Sequence, residues 1–210
     1  MEKNEITAKV SEAIQKSKKR NFVQTVEVNF NFSNINIESA EHKLNLNIFL
    51  PKGRGKDIEI GVFADGDMNV KAKKHSKHVM DRKDVEAHTK NRRNMRRFAD
   101  QCYGFIAQAD MMSLIGKNWG VVLAPRGKMP QPVPQNADIK TILERQKNTI
   151  KIKSKKNPCV HVPIGTEAMT PDDLAENFMT VYNAIEQKIG KENIKSVHVK
   201  TTMGEAVSIW

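Results

Sequence analysis

The 210-residue chain has no uninterrupted apolar run near the ~18–20 residues of a membrane-spanning helix, so none is expected. Its opening stretch, MEKNEITAKVSEAIQKSKKR, is charged and amphipathic and lacks the apolar centre of a secretory signal. Cysteine is scarce. Cys102 and Cys159 form no C-x-x-C, which argues against a disulfide framework and fits two small buried residues in a reducing cytoplasm. Glycine is present but never in a phosphate-cradling order. LPKGRGKD at 50–57 comes nearest, yet its glycines stand two apart and Asp57 sits where a Walker loop needs a metal-binding hydroxyl. No G-x-G-x-x-G opens a helix and no G-x-S-x-G marks a nucleophile. Residues 50–57 therefore read as a hinge or crossover turn.

Positive charge is in excess: 35 Lys+Arg stand against 24 Asp+Glu, a formal net charge of +11. A field of that sign favours nucleic acid or anionic membrane surfaces and says nothing about fold. Hydrophobic residues, at 39%, suffice for a core, so the chain is not a disordered polycation. Its length suits one large domain or two of roughly 100 residues.

Ile6, Val10, Ala13 and Ile14 recur at helical spacing and predict a helix over 4–18. In FVQTVEVNFNF, Val26, Val28, Phe30 and Phe32 alternate with Glu27, Asn29 and Asn31, the pattern of a half-buried strand. HKLNLNIFL repeats it through Leu44, Leu46 and Ile48, and the short SNINIESAE connection predicts an antiparallel hairpin. Beyond 57 the pattern changes. IEIGVFADG, YGFIAQAD and GVVLAPRG read as parallel strands buried on both faces, with helices at about 68–80, 86–100 and 136–148. That is a small three-layer α/β unit.

Near 158 a strand, NPCVHVPIG, leads to a helix with Thr170 as N-cap, Pro171 at its first position and acidic residues in its first turn. Leu174, Phe178, Val181, Ile185 and Ile189 form its buried stripe, and Gly190 stops it. Val197 and Val199 mark another strand, interrupted at TMG before a closing one. Neither end of the chain buries much alone. Joined, 1–55 and 161–210 make an α+β domain, with 56–160 inserted as an α/β domain and paired crossings at Lys52–Lys56 and Asn157–His161.

Residues 71–97 carry eleven Lys/Arg and three Asp/Glu, with Arg92, Arg93, Arg96 and Arg97 crowding one side of a helix. Like charges at that spacing repel mildly; an anionic partner relieves the cost, while the plainer alternative is a solvated face. KIKSKKN at 151–157 is a second basic patch. In VLAPRGKMPQPVP, 122–134, prolines stiffen a non-repetitive loop from which Arg126 and Lys128 either grip phosphates or remain solvated. Such contacts give salt-dependent affinity and no sequence information. His75, His78 and His88 lack a further strong zinc ligand, so no metal site is expected. His161 and His198 lie in strand patterns, as RNA contacts or as plain edge residues. Thr202-Met203-Gly204 reads as a bulge, a close backbone approach or an ordinary turn. Threonine hydroxyls suit a 2′-hydroxyl or phosphate, and Met203 suits a sugar or base face.

LPKGRGKD, LAPRGKMPQP, VHVPIGTEAM leading into TPDDLAENF, and TTMGEAVSI, in that order, resemble the large-subunit ribosomal protein L1 family in an archaeal, methanogen-like form, from about residue 20 to the end. The resemblance implies a split ferredoxin-like α+β domain that binds RNA, at 1–55 and 161–210, and an inserted Rossmann-like three-layer α/β domain at 56–160 that uses no dinucleotide. It implies binding of large-subunit ribosomal RNA at the mobile stalk near the exit site, and assistance to movement and release of deacylated transfer RNA. It further implies repression of translation through the chain's own messenger. No catalysis, cofactor, metal or membrane is implied, and the setting is that of a monomer within the cytoplasmic large ribosomal subunit.

Carried over by position, the RNA-binding residues are Phe22, Thr25, Glu27, Thr202, Met203 and Gly204. A carboxylate such as Glu27 accepts from a 2′-hydroxyl or base amino group and penalises a misplaced phosphate. Position and charge add auxiliary contacts at Arg20, Arg92, Arg93, Arg96, Arg97, Arg126, Lys128 and His161. Two departures stand out. Some members place a basic residue immediately before the Phe, where this chain has Asn21 with Arg20 one position earlier. Bacterial members carry a Gly-Ala-Asp signature where it reads KHSKHVMDRKD, so contacts of that region are not transferred. A competing reading is an RNA- or nucleotide-modifying enzyme, which needs a cofactor loop after IEIGVF or GVVLAP, where basic turns stand instead. A purely structural ribosomal protein shares every residue named and differs only in messenger binding.

Overall fold

The computed structural model describes residues 3–35, 39, 42–89, 91–135, 137–154 and 157–210. In chain order its elements are α1 Lys3–Gln15, β1 Thr25–Phe32, β2 Asn45–Phe49, β3 Ile60–Phe63, α2 Gly66–His75, β4 Val79–Met80, α3 Arg82–Thr89, α4 Arg92–Gln101 and β5 Gly104–Gln108. They continue as α5 Met112–Leu123, β6 Gln131–Val133, α6 Ile139–Lys147, β7 Thr149–Lys153, β8 Cys159–Thr166, α7 Pro171–Ile189, β9 Ile194–Thr201 and β10 Val207–Ser208. Two compact units result: Met1–Lys56 with Asn148–Trp210, and Asp57–Lys147.

In the first unit an antiparallel sheet runs β10-β9-β1-β8. The alternation in β1 buries Val26, Val28, Phe30 and Phe32 in one core with Ile6, Val10 and Ala13 of α1 and with α7. Glu27, Asn29 and Asn31 stay on the other face. The α7 signals act as expected: Thr170 accepts from the Asp173 amide, Pro171 opens the helix, Gly190 closes it at φ 87°, and Leu174, Phe178, Val181, Ile185 and Ile189 are buried. The expected hairpin between β1 and β2 does not form. Both edges of β1 are occupied by β8 and β9, so β2 pairs instead with β7, placing Ile48 opposite Ile150 and Leu46 opposite Ile152. The connection over 33–41 lies partly outside the described residues.

That pairing also moves the expected return crossing. The chain re-enters the first unit at Asn148 rather than at 157–161, because Ile150 and Ile152 complete the core against Ile48 and Leu50. Leu50 N donates to Asn148 O at 3.0 Å, so outgoing and returning chain lie side by side there. Of KIKSKKN, Lys151 and Lys153 are exposed on β7, while Lys155 and Lys156 lie outside the described residues.

The loop at 50–57 is clamped by this unit's own side chains. Gly53 and Gly55 hold φ of +70° and +66°, the left-handed region that favours glycine. A Cβ on Gly55 would stand 2.5 Å from Thr166 Oγ1. Asn177 of α7, fully buried, accepts from Lys52 N at 3.1 Å and donates to Gly53 O at 2.9 Å and Ile164 O at 2.8 Å. The run is a pinned crossing turn, with its carbonyls turned to protein rather than its amides to a phosphate.

The second unit is a parallel sheet ordered β4-β3-β5-β6 with a separate core on each face. Phe63, Met95, Phe105 and Trp119 pack with α3–α5, while Ile60, Val62, Ile106 and Leu143 pack with α2 and α6. GVVL is helical, against the expectation of a strand. Ile115, Trp119, Val122 and Leu123 bury at helical spacing, so the β-branched pair is carried as the last turn of α5. The edge strand β6 falls inside the supposedly non-repetitive 122–134 stretch, where an edge tolerates Pro132. The helix expected at 86–100 divides, since Asn91 Oδ1 caps α4 through the Arg93 and Asn94 amides. The one expected at 68–80 ends at His75, and Val79–Met80 is edge strand.

Replacing Asn177 with Ala leaves Lys52 N and Gly53 O of the crossing turn, and the buried Ile164 O, without this partner, and a buried polar group so stranded costs about 1–3 kcal/mol. Urea unfolding followed by Trp210 should show the first unit weakened by about 2–3 kcal/mol, with the Trp119 signal of the second unit unmoved. An unchanged Trp210 transition contradicts the clamp.

Candidate nucleic-acid interface

Residues 201–204 form a turn between β9 and β10, closed by Gly204 N donating to Thr201 O at 3.2 Å. The Thr202 hydroxyl accepts from Thr25 N at 3.0 Å and donates to Thr25 O at 3.3 Å, so it stands in for a strand partner at the start of β1. Met203 N donates to Gln24 Oε1 at 3.1 Å. These bonds join two segments 177 positions apart. Around the join, Phe22, Val23 and Met203 are 49%, 60% and 59% exposed, a cost that a stacking or sugar-packing partner removes. Gly204 is required by close approach: a Cβ there would stand 2.2 Å from Thr201 Oγ1 and 3.3 Å from Ser17 Cβ.

The sheet face away from α1 and α7 continues this surface. Glu27 lies between Pro163 and Lys200, Asn29 between His161 and His198, and Asn31 beside Ser196, by strand register. His161 Nδ1 is hydrogen-bonded to Asn29 Oδ1 at 2.6 Å. Hydroxyls, amides, imidazoles, the Lys200 ammonium and the Glu27 carboxylate thus share a face of the kind that reads 2′-hydroxyls and base edges.

The structure brings Phe22, Thr25, Glu27, Thr202, Met203 and Gly204 to one end of this sheet, with exposed Arg20 just upstream and His161 further along. The role expected of the Thr202 hydroxyl changes, since the Thr25 main chain already engages its only donor and one of its two acceptor lone pairs. Arg126 and Lys128 also serve the fold. Lys128 Nζ donates to Ala99 O at 2.7 Å and Cys102 O at 2.6 Å, capping the end of α4, and Arg126 Nε bonds Asp100 Oδ1 at 3.2 Å. Arg92, Arg93, Arg96 and Arg97 are exposed and form no ion pair among the described residues, and the first turn of α4 holds no acidic residue to balance its dipole.

Other chemistry finds little support. His78 contacts the Glu59 carboxylate, and His88 Nδ1 donates to Asp84 O at 2.8 Å within α3. Among the described residues no group of three or more His, Cys, Asp or Glu is placed to hold a metal ion. Burial, with the Glu59 charge adding, pushes the Cys102 thiol up to about 12, so it carries no thiolate at neutral pH. A cleft of about 440 Å³ lies past the ends of β3 and β5, lined by Asp65, Asp67, Lys71, Gln108 and Gln135. There the Asp65 carboxylate takes the Gly66 amide that a dinucleotide fold offers to phosphate.

Sequence reasoning missed Val23, Gln24 and Glu167. Gln24 had a readable signal: it shares the parity of Val26, Val28 and Phe30, a polar residue in a buried register. Glu167 had none, because only tertiary pairing carries it to Gln24.

An exposed apolar edge on an antiparallel sheet, a polar open face and a second, arginine-bearing unit are the features of a class of protein suited to nucleic acid. The model of the ribosomal protein L1p/L10e family matches residues 14–205, and the chain belongs to that family. Among its relatives, the large ribosomal subunit protein uL1 of Pyrococcus horikoshii is 42% identical over 211 residues, covering 99% of this chain and 96% of its own. That of Methanothermobacter thermautotrophicus is 40% identical and that of Thermoplasma acidophilum 39%, each over 208 residues and 98% of this chain, with 98% and 96% of their own lengths covered. The family resemblance of the four motifs is borne out.

Gly204→Ala should cost about 1–3 kcal/mol through overpacking and weaken RNA binding. Adding Thr201→Ala removes the obstructing hydroxyl and should restore part of both, as read by thermal unfolding and RNA titration.

Proposed function

We propose that the chain is a non-catalytic protein of the large ribosomal subunit whose first unit, a split ferredoxin-like domain, binds ribosomal RNA. The observation that carries this is the join at Thr202 and Thr25, which sets Phe22, Val23 and Met203 outward beside a polar sheet face. Phe22 and Met203 supply packing on sugar or base. Thr25 and Glu27 supply polar readout, and Thr202 with Gly204 holds the shape.

The second unit is a Rossmann-like domain without dinucleotide, its α2 entrance stopped by Asp65 and Asp67. The α4 arginines add a phosphate grip that carries no sequence preference. In this reading the protein stands at the mobile stalk near the exit site, assists movement and release of deacylated transfer RNA, and represses its own messenger through a similar RNA surface.

Titration of a stalk ribosomal RNA fragment at several salt concentrations tests the division of labour. Phe22→Ala should weaken binding about tenfold or more at every salt, since stacking contacts are worth about 1–3 kcal/mol. Replacing Arg92, Arg93, Arg96 and Arg97 with Gln should instead flatten the salt dependence by about 0.7–0.9 per lost phosphate contact. A Phe22 variant that binds normally moves the interface elsewhere. Binding of the chain's own messenger separates a regulator from a purely structural subunit protein.

A further inference from the structure

The polar contacts of Gln24 exceed what a strand start requires. Its side chain is fully buried at the mouth of β1, yet each of its polar groups has a partner. Nε2 shares its two hydrogens among Ser17 Oγ at 2.9 Å, Lys18 O at 3.2 Å and Glu167 Oε2 at 3.2 Å. Oε1 accepts from Met203 N at 3.1 Å. Its main chain is paired as well, with Gln24 N donating to Glu167 Oε1 at 3.0 Å and Glu167 N to Gln24 O at 3.0 Å. Thr201 Oγ1 closes the network by donating to Ser17 Oγ at 2.8 Å.

Four chain segments meet on this one amide: the loop after α1, the start of β1, the turn between β8 and α7, and the turn between β9 and β10. Phe22 and Val23 precede it directly, and Met203 hangs from it by its own amide. An apolar residue at this position would satisfy the alternation of β1 and bury more cheaply. It could not hold the Met203 amide or the Lys18 carbonyl. Fully satisfied buried networks confer one geometry on the surface above them, and a preformed surface avoids an ordering cost on binding.

We propose that Gln24, oriented by Glu167, is a positioning residue for RNA specificity: it sets Met203 and Phe22 in the register that the ribosomal RNA recognises, without touching RNA itself. This rests on the interface proposed above. The donor pattern makes a sharp demand. Gln24→Glu keeps the acceptor for Met203 N but loses the donor and sets a carboxylate against Glu167. Glu167→Gln alone leaves one acceptor oxygen for two donors, Gln24 N and Gln24 Nε2, which the carboxylate met with an oxygen each. The double exchange restores the donor–acceptor pair between positions 24 and 167 with the roles reversed, while Ser17 Oγ and Lys18 O stay without the Gln24 donor. The amide introduced at position 167 then donates to the carboxylate introduced at position 24, which still accepts from Met203 N.

The experiment titrates the full chain and three variants, Gln24→Glu, Glu167→Gln and both together, with a stalk ribosomal RNA fragment and a scrambled RNA of equal length. Hydrogen exchange at the Met203 amide and thermal unfolding are followed in the free proteins. Each single variant should lose about tenfold in fragment affinity, keep its scrambled-RNA affinity and salt dependence, and exchange the Met203 amide faster. The double variant should regain part of the fragment affinity, since the Lys18 carbonyl still lacks its donor, and should slow that amide again. Single variants that bind the fragment as the parent does overturn the proposal. So does an equal loss on both RNAs that follows thermal stability, which marks a merely structural role, and so does a double variant no better than the singles. Should the parent itself fail to prefer the fragment, the interface proposed above falls and this inference falls with it, even with the Met203 amide responding as expected.

Discussion

The central position of β1 governs this molecule. Its two edges are taken by β8 and β9, both from the far end of the chain, so the sheet closes only after the last third of the sequence has returned. The antiparallel unit therefore consists of two segments, and the intervening Asp57–Lys147 folds around its own parallel sheet. β2, shut out from β1, takes β7 as its partner and draws the returning chain back beside the outgoing one. Asn177 then ties that departure point to α7. One strand's neighbours thus decide the topology, the place of the crossing and the buried amide that secures it.

The proposed interface follows from the same pairing. Because Val26 lies opposite Thr201, the residues just before β1 and just after β9 meet at one end of the sheet. Phe22, Thr25, Thr202 and Met203 are brought together by register rather than by proximity in sequence. Glu27, Asn29, His161, His198 and Lys200 extend the surface by strand parity alone, since α1 and α7 cover only the opposite face. The arginines of α4 belong to another unit and, in the proposed function, to another kind of contact: they offer charge without shape, whereas the β-turn offers shape with little charge.

Much of this was legible residue by residue. The alternation of 26–32, the Thr170–Pro171 start and Gly190 stop of α7, and the interruption at 202–204 all express local backbone and burial chemistry, and the structure keeps them. The errors share one cause. GVVL has strand composition but sits at the end of a helical burial stripe that begins at Ile115. The helix expected at 68–80 stops at His75 because Val79 and Met80 pair with Val62 and Phe63 as an edge strand. The β1–β2 hairpin was reasonable by loop length and failed because β1 had no free edge. In each case the context beyond the short run, a longer burial stripe or a distant strand, outweighed its local preference.

Periodicity, caps, charge and ordered motifs determined by themselves that this chain holds helices and strands of mixed class, an inserted parallel unit, a basic surface and membership in the ribosomal protein L1p/L10e family. Tertiary structure alone decided which strands pair, that the crossing returns at Asn148, that Thr202 holds a turn, and that Gln24 and Glu167 meet beneath it. The physical reason is that local pattern reports how a residue is buried, whereas a hydrogen bond also depends on which far segment arrives opposite it.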